Sequence, residues 1–76
     1  MADRFELVKH KSIGGVDGYY FIHDNLYNKQ VLDENGFLIF FDIEEEDEDY
    51  AREEGEQFIR RNHKQLAELM DERENA

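Results

Sequence analysis

The side chains able to do chemistry in this chain are mostly carboxylates, and half of them stand together. Residues 42–57 read Asp-Ile-Glu-Glu-Glu-Asp-Glu-Asp-Tyr-Ala-Arg-Glu-Glu-Gly-Glu-Gln, ten acids against Arg52 alone. On a helix, carboxylates three or four positions apart recur every ~5–6 Å, near the spacing of successive phosphates along a nucleic-acid strand. Such a surface is steered into a groove lined by Lys and Arg, where it competes with DNA or RNA. The residues expected to form it are Glu44, Glu45, Glu46, Asp47, Glu48, Asp49, Glu53, Glu54 and Glu56, with Tyr50 among them. An exposed Tyr ringed by acids is an interface anchor with an acidic rim. The competing reading folds Tyr50 back over the last strand near Phe41, and treats the acids as a solvated helix start favoured by the dipole. Dipole compensation ends with the first turn, however, and ten mutually repelling acids exceed it.

Other chemistries find little support. No Cys is present and Ser12 is the single serine, so nucleophilic catalysis has no candidate with helpful surroundings. Crowded, exposed carboxylates offer no environment that would split their pKa values into an acid and a base. Asp42, Glu44, Glu46, Glu48 and Glu53 stand at the first, third, fifth, seventh and twelfth positions of a calcium loop, but Asp47 occupies the sixth, where the sharp turn needs Gly. His10, His23 and His63 are unclustered in sequence. Gly14, Gly15 and Gly18 form a turn without the strand-loop-helix context of a phosphate loop. Tyr19, Tyr20, Phe21, Phe37, Phe40 and Phe41 resemble a base-stacking set, but the charge favours a core role for them. The expectation is a non-enzyme with no cofactor and no metal.

The acids dominate the whole balance. Of 76 residues, 20 are Asp or Glu and 9 are Lys or Arg, a net charge of −11. Residues 1–41 contribute −2, residues 42–57 contribute −9, and residues 58–76 are neutral. An anionic chain works against phosphate repulsion, which disfavours direct nucleic-acid binding. Hydrophobic residues at 39 % and aromatics at 13 % argue against a disordered acidic tail. No apolar run reaches the ~18 residues of a membrane span, the N-terminal residues lack the apolar core of a signal peptide, and the missing cysteines suit a reducing cytosol. A cytoplasmic protein without membrane contact is expected.

The elements that must position these residues follow from periodicity. One domain spans residues 1–76: a β-meander over 1–41, an acidic segment and helix start over 42–57, and a helix over 58–74. The fold class is α+β, a three- to four-stranded antiparallel meander followed by one C-terminal amphipathic helix packed on the sheet. Phe5–Lys11 alternates, the glycines from Gly14 to Gly18 reverse the chain, and Tyr19–His23 is aromatic and β-branched. Residues 25–29 form a connection. Gln30-Val31-Leu32 and Phe37–Phe41 flank an Asn35-Gly36 turn, and the second run, apolar on both faces, reads as a central strand or one covered by a partner. Ala51, Gly55, Phe58, Ile59, Asn62, Leu66, Leu69 and Met70 share one helical stripe. Gly55 on that stripe is tolerable if the helix approaches the sheet closely there. The helix begins after Asp42, with Glu45 completing an acidic capping box, or near Asp47.

Strands followed by one helix, with Asn35-Gly36 in the last hairpin and acids opening the helix, resemble the minimal layout of small phage-encoded proteins. Some integrase arm-binding domains share it, but with a basic sheet, so their DNA binding does not carry over to this acidic chain. Size, acidity, absent cysteine and absent catalytic motif together resemble phage inhibitors of host nucleic-acid enzymes, the anti-CRISPR and anti-restriction proteins that mimic DNA. The resemblance implies a stoichiometric inhibitor in the host cytoplasm, seated in a cationic groove of a nuclease or surveillance complex. The alternative is a structural or regulatory module that dimerises or docks through its aromatic sheet, its acids serving solubility. Both readings allow a monomer or a homodimer.

Overall fold

A computed structural model of the chain describes residues 3–11, 18–43 and 47–75. Within them lie β1 (Phe5–His10), β2 (Tyr19–Asp24), β3 (Lys29–Gln30), β4 (Phe40–Asp42) and α1 (Glu48–Glu74). The four strands form an antiparallel sheet with α1 packed on one face, an α+β layout.

The centre of the sheet is β2. Its aromatic and β-branched run suits a pleated surface, and every other strand pairs with it. β1 pairs along its full length, from Phe5 opposite Asp24 to His10 opposite Tyr19. The other edge of β2 is shared: β4 takes Tyr19–Phe21, and β3 takes His23 and Asp24. This corrects the central role expected for Phe37–Phe41. Only Phe40 and Phe41 of that run enter a strand, and β4 has β2 as its one partner among the described strands. Residues 33–36 form the expected turn, with Gly36 at φ 87° and the Asp33 carboxylate accepting from the Asn35 and Phe37 N–H groups at 2.9 Å. The hairpin around it is closed by a Leu32–Leu38 bridge and stands off β2, which leaves Phe37 70 % exposed. Arg73 of α1 holds the hairpin base, donating to the carbonyls of Leu32 and Asp33.

Strand alternation sorts the side chains into two faces. Phe5, Leu7, Tyr20, Ile22, Val31, Phe41 and Ile43 face α1, whose Ala51, Leu66 and Met70 complete the core. Val8, Tyr19, Phe21 and Phe40 lie on the face away from the helix, because each pairs across the sheet with another of that set or with its neighbours. α1 runs antiparallel to β1, so Lys9 meets Glu48, Leu7 meets Gly55 and Phe5 meets His63. The apolar stripe read from periodicity is the buried one: Ala51, Gly55, Leu66 and Met70 are buried, and Phe58, Ile59, Asn62 and Leu69 half-buried. The close approach at Gly55 is also present.

The helix takes the later of the two expected starts. Asp47 is the N-cap, its carboxylate accepting from Tyr50 N–H at 3.1 Å. Asp42 ends β4 and so does not cap it. At the far end, Arg4 grips the buried Asp24 with two hydrogen bonds of 3.1 Å and reaches Asp71 at 3.0 Å. Asp71 also accepts from the Tyr27 hydroxyl at 2.8 Å.

Candidate binding surface

The seven described residues of the expected acidic surface separate into three groups, while Glu44, Glu45 and Glu46 lie outside the described residues. Asp47 and Glu48 are engaged by the fold. Asp47 caps the helix, and Glu48 turns inward, accepting from the Tyr20 hydroxyl at 2.8 Å and pairing with Lys9 Nζ at 2.8 Å. The Lys9 hydrogen bond, then that from Tyr20, holds the Glu48 carboxyl below the usual carboxylate range. The same contact raises Lys9, and burial, followed by the bond to Glu48, raises the Tyr20 phenol. Helical geometry explains the inward turn of Glu48, which lies on the extension of the Ala51–Gly55 stripe.

The second group faces outward. Asp49 is exposed and pairs with Arg52 at 2.8 Å. Tyr50 is 65 % exposed, so it does not fold back over Phe41. Glu53 and Glu54, three and four residues on, stand exposed on the same side of the helix. Neither forms an ion pair with another described residue, and both lie beyond the first turn, where the dipole favours acids little. Glu56 forms the third group. It lies on the flank of α1 beside β1, lining a groove of about 620 Å³ with Phe5, Leu7, Ile59 and Arg60.

No family model, characterised protein or solved structure matches this chain.

Among the described residues no group of three or more His, Asp or Glu is placed to hold a metal ion. The calcium-loop spacing disperses: Asp42 ends β4, Glu48 faces Tyr20 and Glu53 faces outward, while Glu44 and Glu46 lie outside the described residues. Each histidine has its own neighbour. His10 stacks on Tyr19 with ring centres 4.8 Å apart, His23 meets Asn28 at 3.0 Å, and His63 stands edge-on to Phe5 at 5.2 Å. Ser12 lies outside the described residues. Among the described residues no helix is long and apolar enough to cross a membrane.

The aromatic residues expected in the core divide between the two faces of the sheet. Tyr20 and Phe41 enter the core as expected. Tyr19 and Phe40 instead pack against each other on the face away from α1, ring centres 5.7 Å apart, with Phe21 6.4 Å from Tyr19; Phe21 is buried there, while Phe37, outside the strands, is 70 % exposed rather than in the core. Phe40 is 52 % exposed on that face. The signal that distinguishes them is parity: once Ile22 and Phe41 face the helix, Tyr19, Phe21 and Phe40 must face away.

Proposed function

We propose that this chain is a non-enzymatic binding protein whose acidic helix start occupies a cationic nucleic-acid-binding site of a partner protein, excluding DNA or RNA from it. The observation that carries this reading is the exposed Tyr50 flanked by the exposed carboxylates of Asp49, Glu53 and Glu54. The Tyr50 ring stands in water next to mutually repelling acids. It suits a docking anchor with a charged rim, where the ring supplies burial and the acids supply steering. The fitting partner is a nuclease or surveillance complex with a groove lined by Lys and Arg. A phage-encoded inhibitor of the anti-CRISPR or anti-restriction type, acting stoichiometrically in the host cytoplasm, is the biological form of this proposal.

The test is a charge reversal at Glu53 and Glu54 to Lys, combined with Tyr50→Ala. Capture of nucleic-acid enzymes from a host lysate by the unaltered chain should weaken as salt rises and vanish in the variant, with the circular dichroism spectrum unchanged. Capture that ignores both salt and the substitutions would overturn the proposal. A second reading, docking through the face of the sheet away from α1, is favoured by the exposure of Phe40. Under it, Phe40→Ser removes binding and the acid reversals do not.

A further inference from the structure

The outer edge of β1 offers a second surface, independent of the acidic one. β1 pairs with β2 on one side, and no described strand covers the other. The register, with the bond from Asn25 N–H to Arg4 O at 2.8 Å, directs the backbone groups of Arg4, Glu6, Val8 and His10 toward β2. Intervening residues of an antiparallel ladder point the other way, so the N–H and C=O groups of Phe5, Leu7 and Lys9 face outward. Beside this edge runs the groove floored by Phe5, Leu7 and Ile59, with Arg52, Glu56 and Arg60 on its helical wall. An open six-residue edge with an apolar groove alongside is a template for another strand.

The arrangement of charge selects the occupant. A two-fold pairing of β1 with itself must set outward residues opposite outward residues. Centred on Val8, it places Leu7 opposite Lys9 of the partner subunit, and Glu6 opposite His10 of the partner subunit. Leu7 sits at the level of Gly55, so the incoming ammonium arrives beside Glu56, the next residue of α1, which stands between Arg52, itself paired with Asp49, and Arg60. Symmetry makes each contact twice. Centring the pair on Leu7 instead would oppose Arg4 to His10 and Glu6 to Val8, losing the complementarity on the face away from the helix. In the single chain Lys9 pairs with Glu48, but both side chains are about two-fifths exposed, 44 % and 42 %. Such a pair contributes little, and Glu48 keeps the Tyr20 hydroxyl when Lys9 moves. The two-fold axis also runs the two α1 helices antiparallel, sending their acidic starts to opposite ends of the pair.

We propose that this chain forms a two-fold homodimer through β1–β1 edge pairing centred on Val8, with Lys9 of each copy meeting Glu56 of the other. Sedimentation velocity from micromolar to millimolar protein should show a monomer–dimer equilibrium. Glu56→Lys and Lys9→Glu should each raise its dissociation constant by about tenfold or more, since two contacts per dimer reverse sign. The combined K9E/E56K variant should recover most of the loss, which a merely misfolded single variant would not allow. In the unaltered chain, the Leu7 and Lys9 amides should exchange with deuterium more slowly as concentration rises, while the Glu6 and Val8 amides, already bonded to β2, should not change. A monomer at every concentration overturns the proposal. So does a dimer indifferent to both reversals, or one broken by Phe40→Ser while Leu7 and Lys9 exchange freely.

Discussion

Leu7 and Gly55 meet so closely that a Cβ added to Gly55 would lie 2.8 Å from both Leu7 Cδ atoms and 3.1 Å from Phe41 Cδ2. The chain gives up ~1 kcal/mol of helix propensity at this position, and in return α1 lies directly on β1. Leu7 is half-buried and its methyl groups can swing aside, so Gly55→Ala should destabilise by only about 1 kcal/mol, overpacking slightly outweighing propensity. Gly55→Leu, which cannot be accommodated that way, should cost about 3 kcal/mol or more. Urea unfolding measures both, and a clear gain in stability for Gly55→Ala would show that the contact is not tight.

Asp24 anchors the opposite end of the sheet. Its side chain is fully buried, takes two hydrogen bonds from Arg4 and accepts from Leu26 N–H at 2.9 Å. Asp24→Ala leaves Arg4 with Asp71 alone and Leu26 N–H without its acceptor, and should cost about 3 kcal/mol, a large share of the ~4–11 kcal/mol available to a chain of this length. Asp24→Asn, which keeps the acceptor for Leu26, should cost less. Chemical denaturation followed by circular dichroism ranks them; an Asn variant as stable as the unaltered chain would mean that charge plays no part.

The acids near the helix start should differ sharply in what they do for the fold. Asp47→Ala removes the N-cap and should cost ~1 kcal/mol, while Asp47→Ser should be nearly neutral. Glu53→Ala and Glu54→Ala should fall within about 0.5 kcal/mol of the unaltered chain. Thermal melts decide the matter. A loss at Glu53 or Glu54 comparable to that at Asp47 would return those acids to a structural role and weaken the case for a binding surface.

Stability should fall at both ends of the pH scale, for different groups. Hydrogen bonds from Tyr27 and then Arg4 lower the Asp71 carboxyl, and those from Lys9 and then Tyr20 lower Glu48. A carboxyl more acidic in the folded chain contributes fully above its unfolded pKa, about 4, and fades as pH falls through the lower folded value. Lys9, Tyr20 and Tyr27 are raised. Their contribution is whole below about pH 10 and fades as pH climbs through the raised folded values. The Glu48→Gln, Asp71→Asn variant should therefore melt below the unaltered chain at neutral pH, and the gap should close below about pH 4. A gap of constant size across that range would exclude the two carboxylates as its source.

The sequence shows most of the fold where the determinants are local. The stripe from Ala51 to Met70 has the helical period, Asn35-Gly36 has the turn chemistry, and Gly36 takes the positive φ that turn requires. Phe37–Phe41 does not supply a central strand, and Arg73, 40 residues beyond Asp33, holds the hairpin base by the carbonyls of Leu32 and Asp33. No short window records that contact. Glu48 differs: as one acid among ten it reads as surface, but its place on the extension of the Ala51–Gly55 stripe turns it toward the sheet, where Lys9 and Tyr20 on two different strands receive it. Tyr50, Glu53 and Glu54 do stand exposed in the structure, since nothing distant reaches them among the described residues.

The last turn of α1 ties together parts of the chain made much earlier. Asp71 meets Arg4 and Tyr27, Arg73 meets Leu32 and Asp33, and Glu74 meets Lys29 at 2.8 Å. During synthesis, then, the strands emerge long before the residues that lock them. Until residue 74 clears the ribosome, β1 and β2 lack the helix that covers Phe5, Ile22 and Val31, and their apolar face waits open to water and to whatever chaperone stands at the exit.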